Sequence, residues 1–187
     1  MTSEPLNFRI ANQQDAVKLQ QLIESAFRAE DSRQGWVGSS DLASRFHIEV
    51  KDISAVIINP ATAFLVASDD YGAILGSIGV SKRALDRARL FMLAVEPQHH
   101  RGGIGRQVLA YAEDYCQRTW DSKIVELNAL STREALISWY LRRGYRKTGD
   151  SAPFPSEEYD DLALPADMCF IEFEKTMVPL PVAEIVI

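Results

Sequence analysis

Cysteine is nearly absent from this chain. Only Cys116 and Cys169 occur in 187 residues, far apart and without a CxxC pair, which excludes a disulfide scaffold and a thiolate metal site. Histidine is as scarce. There are three, two of them adjacent at His99 and His100, and adjacent residues do not converge on one ion, so no metal is expected. Basic residues are outnumbered 20 to 26, giving a net charge of −6, so no general positive field is available for a nucleic-acid backbone. Ten glycines and eight prolines beside 47% hydrophobic residues exclude low complexity and disorder. No run approaches the roughly 20 apolar residues of a membrane helix, and Met1 to Phe8 lacks a basic stretch followed by an apolar one. The expectation is a cytoplasmic, mildly acidic domain spanning 1–187, with no membrane partner. Its apolar tail at 178–187 either adds an edge strand, in the same molecule or in a second copy as a homodimer, or packs on its own domain.

Against those absences, periodic segments stand out. Leu6 to Ala11 reads as a strand. Asn12 is a plausible cap for an amphipathic helix over 13–28, carried by Ala16, Leu19, Leu22, Ile23, Ala26 and Phe27, with Asp15 in its first turn. Residues 28–40 read as a polar loop, followed by a second helix from about Asp41 to Val50. Ala63–Ser68 and Ala73–Ser81 form a hairpin around Asp69–Gly72. Leu90 to Val95 is apolar at six consecutive positions, as in a central strand covered on both faces, and Pro97 stops it. A helix with Ile104, Val108, Leu109, Ala112, Tyr115 and Cys116 on one side comes next, then a strand over Ile124–Leu130. Ser131 and Glu134 match a capping box for a helix with Leu136, Ile137, Tyr140 and Leu141 inward and Gly144 closing it. Residues 149–167 read as a long loop, and Met168–Lys175 as a final strand. The order β-α-α-β-β-β-α-β-α-β-β indicates an α/β fold with a mixed, mostly antiparallel sheet flanked by helices.

The sharpest chemical feature is H-H-R-G-G-I-G-R, His99 to Arg106, between the apolar strand and the long helix. Glycines let backbone N–H groups approach a ligand, and the helix start adds donors and a positive dipole end, which suits a phosphate or pyrophosphate. Arg101 and Arg106 add local positive charge. A P-loop is excluded because no Gly-Lys precedes Ser or Thr, and a dinucleotide fingerprint fails at Val108, too large for close helix–strand contact. By itself such a turn is equally a tight strand-to-helix connection.

Val95-x-Pro97, then His100-x-x-Gly103-x-Gly105 and Leu109, resembles the acyl-CoA-binding motif of the GNAT N-acetyltransferase superfamily. Trp139 to Tyr145, W-Y-L-R-R-G-Y, looks like that family's aromatic-Tyr-x-x-x-Gly-aromatic helix. The resemblance runs from Leu6 to about Lys175, and F-R-A-E-D-S-R-Q-G-W at Phe27–Trp36 is similar to an uncharacterised bacterial subgroup. Two departures stand out: His100 replaces the usual Gln or Arg, and Arg133 stands seven residues before Tyr140, where many members carry Asn.

The resemblance implies an acetyl-CoA-dependent enzyme moving an acetyl group to a primary amine of a small molecule or peptide by direct attack. It implies that backbone groups of Leu93, Ala94 and Val95 hold the pantetheine arm, and that His100, Arg101, Gly102, Gly103, Ile104, Gly105 and Arg106 hold the pyrophosphate. Tyr140 matches the general acid, although its spacing alone favours a core aromatic. For the base, Glu30, Asp31 and Glu126 are candidates, each also an ordinary solvated carboxylate. Trp36, between two glycines, either walls a substrate pocket or pins a loop. A non-catalytic acyl-CoA-binding or sensing module is the alternative function.

Overall fold

The first helix starts where a reciprocal cap satisfies backbone donors that would otherwise be orphaned. In the computed structural model, which describes residues 5–29, 36, 38–99 and 102–179, strand β1 (Asn7–Ile10) leads into Asn12. The Asn12 side chain accepts from the Gln14 N–H at 2.9 Å, while Asp15 accepts from the Asn12 N–H at 2.9 Å. Arg9 of β1 grips the same carboxylate at 2.7 and 2.9 Å and holds the Asp15 carboxyl below its usual range. A 3-10 turn (Gln13–Asp15) then opens α1 (Ala16–Arg28), which buries Ala16, Leu19, Leu22 and Ile23.

The expected second helix is in fact two, α2 (Ser40–Ser44) and α3 (Val50–Ile58). A continuous helix is broken because the segment between them is drawn inward. Phe46 stacks on Phe27 at 4.4 Å, Ile48 is buried, and its N–H is taken by the Glu24 carboxylate at 3.1 Å.

The next three strands, β2 (Thr62–Ser68), β3 (Ile74–Lys82) and β4 (Arg87–Val95), form an antiparallel meander. Asp69 closes the first hairpin by accepting from the N–H groups of Tyr71 and Ala73, next to Gly72 at φ +82°. Helix α4 (Ile104–Trp120), β5 (Ile124–Leu130), α5 (Glu134–Leu141), β6 (Arg146–Pro153) and β7 (Cys169–Thr176) complete the sheet in the order β1-β2-β3-β4-β5-β7-β6. The apolar run at 90–95 thus belongs to the middle strand. β4 and β5 run parallel, and every other neighbouring pair is antiparallel. The chain therefore has the mixed, mostly antiparallel α/β architecture that its element order indicates.

Two layers of helix cover this sheet. One core places α1 and α3 against Phe64, Val66 and Ala94; the other places α4 and α5 against Leu65, Ile78, Val80, Leu90, Val125, Leu127 and Phe173. Gly76 lets α4 lie close on β3, because a Cβ there would come within 3.0 Å of the Ile104 and Val108 side chains.

Three local readings are corrected. Residues 149–153, expected in a loop, belong to β6, an edge strand that is almost wholly exposed and needs no apolar alternation. The Ser131–Glu134 capping box does not form, because the Ser131 hydroxyl accepts from the Cys169 N–H at 3.2 Å, and Arg133 occupies the N-cap position. Leu141, expected inward, is 44% exposed; α5 ends there, and Tyr145, just beyond the Gly144 turn, fills the core instead. The His100–Arg101 pair, the Glu30–Asp31 pair and most of the apolar tail, from 180 onward, lie outside the described residues.

Candidate active site

Strands β4 and β5 begin side by side and then part. Their register joins Arg87 to Ile124, Ala88 to Val125 and Arg89 to Glu126, and no further pair follows. β4 continues to Val95 and β5 to Leu130, so a fork opens in the middle of the sheet. An unpaired strand edge offers a row of backbone donors and acceptors to an extended ligand.

A bulge in β4 shapes one arm of this fork. Ser77 pairs with Ala94 and Gly79 with Phe91, so Met92 and Leu93 together face the single residue Ile78. Met92 takes a φ of +50°, unusual for a residue with a side chain, and such strain persists only where surrounding structure imposes it. Gly79 makes room for the bulge: a Cβ there would sit 2.3 Å from the Phe91 ring. The bulge turns Leu93 and Val95 toward the α4–α5 side and Met92 and Ala94 toward α1.

The glycine turn lies beyond the tip of β4. A 3-10 turn (Pro97–His99) leads to Gly102, whose N–H bonds to the His99 carbonyl at 3.0 Å. Gly103 caps α4 at φ +75°, the left-handed region that glycine enters without steric cost. The first helical bond of α4 runs from the Gln107 N–H to the Gly103 carbonyl, so the amides of Ile104, Gly105 and Arg106 point out of the helix end. Gly105 lies against Val95, with a Cβ position 3.5 Å from its side chain. The fork and these amides are therefore adjacent. Arg106 is exposed, and Ile104 is buried beneath the turn as an anchor.

Tyr140 projects from α5 on the same side of the sheet. It is 6% exposed and packs edge-on against Trp139 and Tyr145, with ring centroids at 5.2 and 5.8 Å. Burial pushes its phenol up to about 12, with a small opposing influence from the Arg133 charge. It is a protonated donor at any neutral pH.

The early loop is tied to this helix. The Arg133 Nε donates to the Trp36 carbonyl at 2.6 Å, the Trp36 ring lies edge-on to Trp139 at 6.4 Å, and Gly38 approaches so closely that a Cβ would meet the Thr132 hydroxyl at 2.7 Å. Trp36 thus both pins the loop and extends the aromatic row that ends at Tyr140. The Arg133 departure has a structural use here, as the loop's anchor.

Glu126 is not brought to Tyr140. It ion-pairs with Arg87 at 2.5 Å, on the opposite sheet face and at the closed end of the fork. Cys116 is fully buried, and burial next to Glu113 pushes its thiol up to about 12, which makes it a poor nucleophile. One buried acid lay outside the expected helix stripe. Glu113 accepts from the Tyr145 hydroxyl at 2.9 Å and ion-pairs with Lys175 at 2.7 Å, bracing the ring beside Tyr140. Its signal was a Glu at the helical spacing of the stripe, three residues before Cys116. Among the described residues no His, Cys, Asp and Glu group is arranged to hold a metal, and no helix is long and apolar enough to cross a membrane.

An acetyltransferase (GNAT) domain family matches residues 60–147, the span containing β2 to α5 and therefore the fork, the glycine turn and Tyr140. In overall fold the chain is similar to the ribosomal-protein-S18-alanine N-acetyltransferase of Escherichia coli, with a TM-score of 0.68 at 15% identity over 95% of this chain and 99% of that one. It is also similar to a GNAT-family acetyltransferase of Staphylococcus aureus Mu50, with a TM-score of 0.62 at 17% identity over 93% and 100%. The spermidine/spermine N-acetyltransferase of Vibrio cholerae aligns with a TM-score of 0.61 at 14% identity over 91% and 92%. Identities this low establish the shared fold and nothing of the acceptor. No curated protein matches the sequence significantly.

Proposed function

We propose that this chain, which belongs to the GNAT acetyltransferases, moves an acetyl group from acetyl-CoA to a primary amine of a small molecule or peptide. The observation that carries this reading is the placement of the β4–β5 fork between the outward amides of α4 and the protonated hydroxyl of Tyr140. The residues present fit a pyrophosphate-bearing acyl thioester. The cap at Gly103 aims three backbone donors and a positive helix end at one place, and Gly105 keeps that place free of a side chain.

Bound acetyl-CoA supplies an acyl group already activated as a thioester. The chain's own part is to hold and orient. The amides of Ile104, Gly105 and Arg106 hold the phosphates, aided by the Arg106 charge, and the backbone of β4 at Leu93–Val95 lines up the pantetheine arm. Fixing the amine near the carbonyl is worth about 7–11 kcal/mol of barrier in ideal cases. The amine nitrogen attacks the carbonyl carbon, the C–N bond forms, and the C–S bond breaks. The acceptor's ammonium gives one proton to water before it attacks as the free amine; Tyr140 donates its proton to the departing sulfur and regains the second proton that the nitrogen sheds. The buried phenol is a weak acid, so its main help is a hydrogen bond that strengthens as negative charge collects on sulfur.

The test is release of free coenzyme A thiol from acetyl-CoA in the presence of amines, amino acids, polyamines and peptides. Amine-dependent release with a matching acetylated product is expected. Tight acetyl-CoA binding without release by any acceptor would favour a non-catalytic acyl-CoA-binding module instead.

A further inference from the structure

We propose that Arg89, Asn128 and Glu172 form the acceptor's recognition site, and that it is built for a zwitterion such as a free α-amino acid. The proposal rests on the acetyl-transfer reading and deepens it. Each residue comes from a different strand. Arg89 alternates with Ala88 and Leu90 on β4, Asn128 with Leu127 and Ala129 on β5, and Glu172 with Ile171 and Phe173 on β7. All six of those neighbours pack in or against the α4–α5 core, so the three polar side chains share the opposite face.

On that face their heads meet. The Arg89 guanidinium donates to both Glu172 oxygens, at 3.0 and 3.2 Å, and the Asn128 amide donates to one of them at 3.2 Å. The two charged side chains are only 20% and 21% exposed. Their position along the strands is what gives the cluster meaning. Arg89 belongs to the last row that joins β4 to β5, and Asn128 is two residues past that row on the other arm. The cluster therefore stands at the mouth of the fork, on the face opposite Tyr140. A thioester lying in the fork with its sulfur toward Tyr140 would meet its amine from this side.

Charge decides which amine. The neighbouring ionic groups on this face are Arg87 and Arg146, paired with Glu126 and Glu174. With Arg89 and Glu172 included, three arginines balance three glutamates among the described residues of these strands, so the strands themselves present no surplus negative charge to a polycation. What the mouth offers is one guanidinium fork and one carboxylate, bonded to each other. An α-amino acid carries the complement of both. Its carboxylate takes the bidentate place on Arg89, its ammonium takes the place on Glu172 beside Asn128, and each buried charge exchanges one opposite partner for another. An amide or a simple amine leaves Arg89 without that exchange, and a half-buried charge stripped of its partner is costly.

Calorimetric titration of the whole chain in excess coenzyme A, with amino acids, their amides and spermidine, tests this. At least one free amino acid is expected to bind ten times more tightly than its amide or more, and spermidine more weakly than either. Arg89→Gln should erase the preference for the carboxylate. The double variant Arg89→Gln with Glu172→Gln, which keeps the face neutral, should melt with the wild type and show no preference. The proposal is overturned if no amino acid binds, if amides or spermidine bind the wild type as tightly as amino acids, or if Arg89→Gln keeps the preference. Selective amino-acid binding without thiol release would leave this site standing and sink the acetyl-transfer reading.

Discussion

Tyr140→Phe is expected to lower kcat about 10²-fold or more while acetyl-CoA binds as it does to the wild type. The substitution removes one oxygen and keeps the ring against Trp139, Tyr145 and Phe173, so the core that holds α5 loses little. Tyr140 is carried by α5 and not by the glycine turn at the start of α4, which is why affinity for the nucleotide end should not change. The pH profile adds a second check. Burial holds the phenol up at about 12, so its proton is present at neutral pH and is lost only as the pH rises toward that value. Wild-type turnover should therefore show no fall from tyrosine ionisation below about pH 11. Steady-state rates across pH, beside calorimetric titration with acetyl-CoA, measure both. Equal losses in rate and affinity would show that the ring, and not its proton, is what matters.

Gly105→Glu is expected to lose about 30-fold in acetyl-CoA affinity without unfolding the chain. A Cβ at this position meets only the Val95 side chain at 3.5 Å, an ordinary contact. A carboxylate in the first turn of α4 also suits the helix dipole, so stability should hold or rise slightly. The new charge, however, stands where the outward amides would hold a pyrophosphate. At an effective dielectric of about 20, like charges about 4 Å apart repel by about 4 kcal/mol, and solvent screening at this rim leaves about half of it, enough for about 30-fold. Thermal melting and calorimetry separate the two effects. Unchanged affinity in a folded variant would place the phosphates elsewhere.

The parts of this fold that were legible in the sequence are those decided locally. The Asn12–Asp15 cap, the stripe of α4, the turn at Asp69–Gly72 and the Gly144 stop depend on residues within a few positions of one another. The break at 45–49 was not legible, because it is set by Phe46 and Ile48 being pulled against α1, a tertiary demand that overrides helical spacing. β6 escaped notice because an edge strand exposed on both faces carries no periodic signal. The Ser131–Glu134 box was legible and misleading: the strand β7 backbone, 38 residues away, competes for the same hydroxyl.

The candidate site divides in the same way. The glycine turn and Tyr140 could be read as motifs. The fork could not, since it exists only where β4 and β5 cease to pair, and its bulge is centred on Met92, a residue type that gives no warning of a positive φ. Nor could the cluster of Arg89, Asn128 and Glu172, whose members are brought together from three strands by register alone. Glu126 is a carboxylate on the right strand, yet it sits in the last joined row, on the face opposite Tyr140, and is committed to Arg87.

Hydrogen exchange with and without acetyl-CoA, read amide by amide, tests the central claim most directly. Slowed exchange is expected at Ile104, Gly105 and Arg106 and along β4 from Leu93 to Val95, with β1 and β6 unaffected. Binding that protects other segments and leaves the first turn of α4 exchanging freely would contradict it.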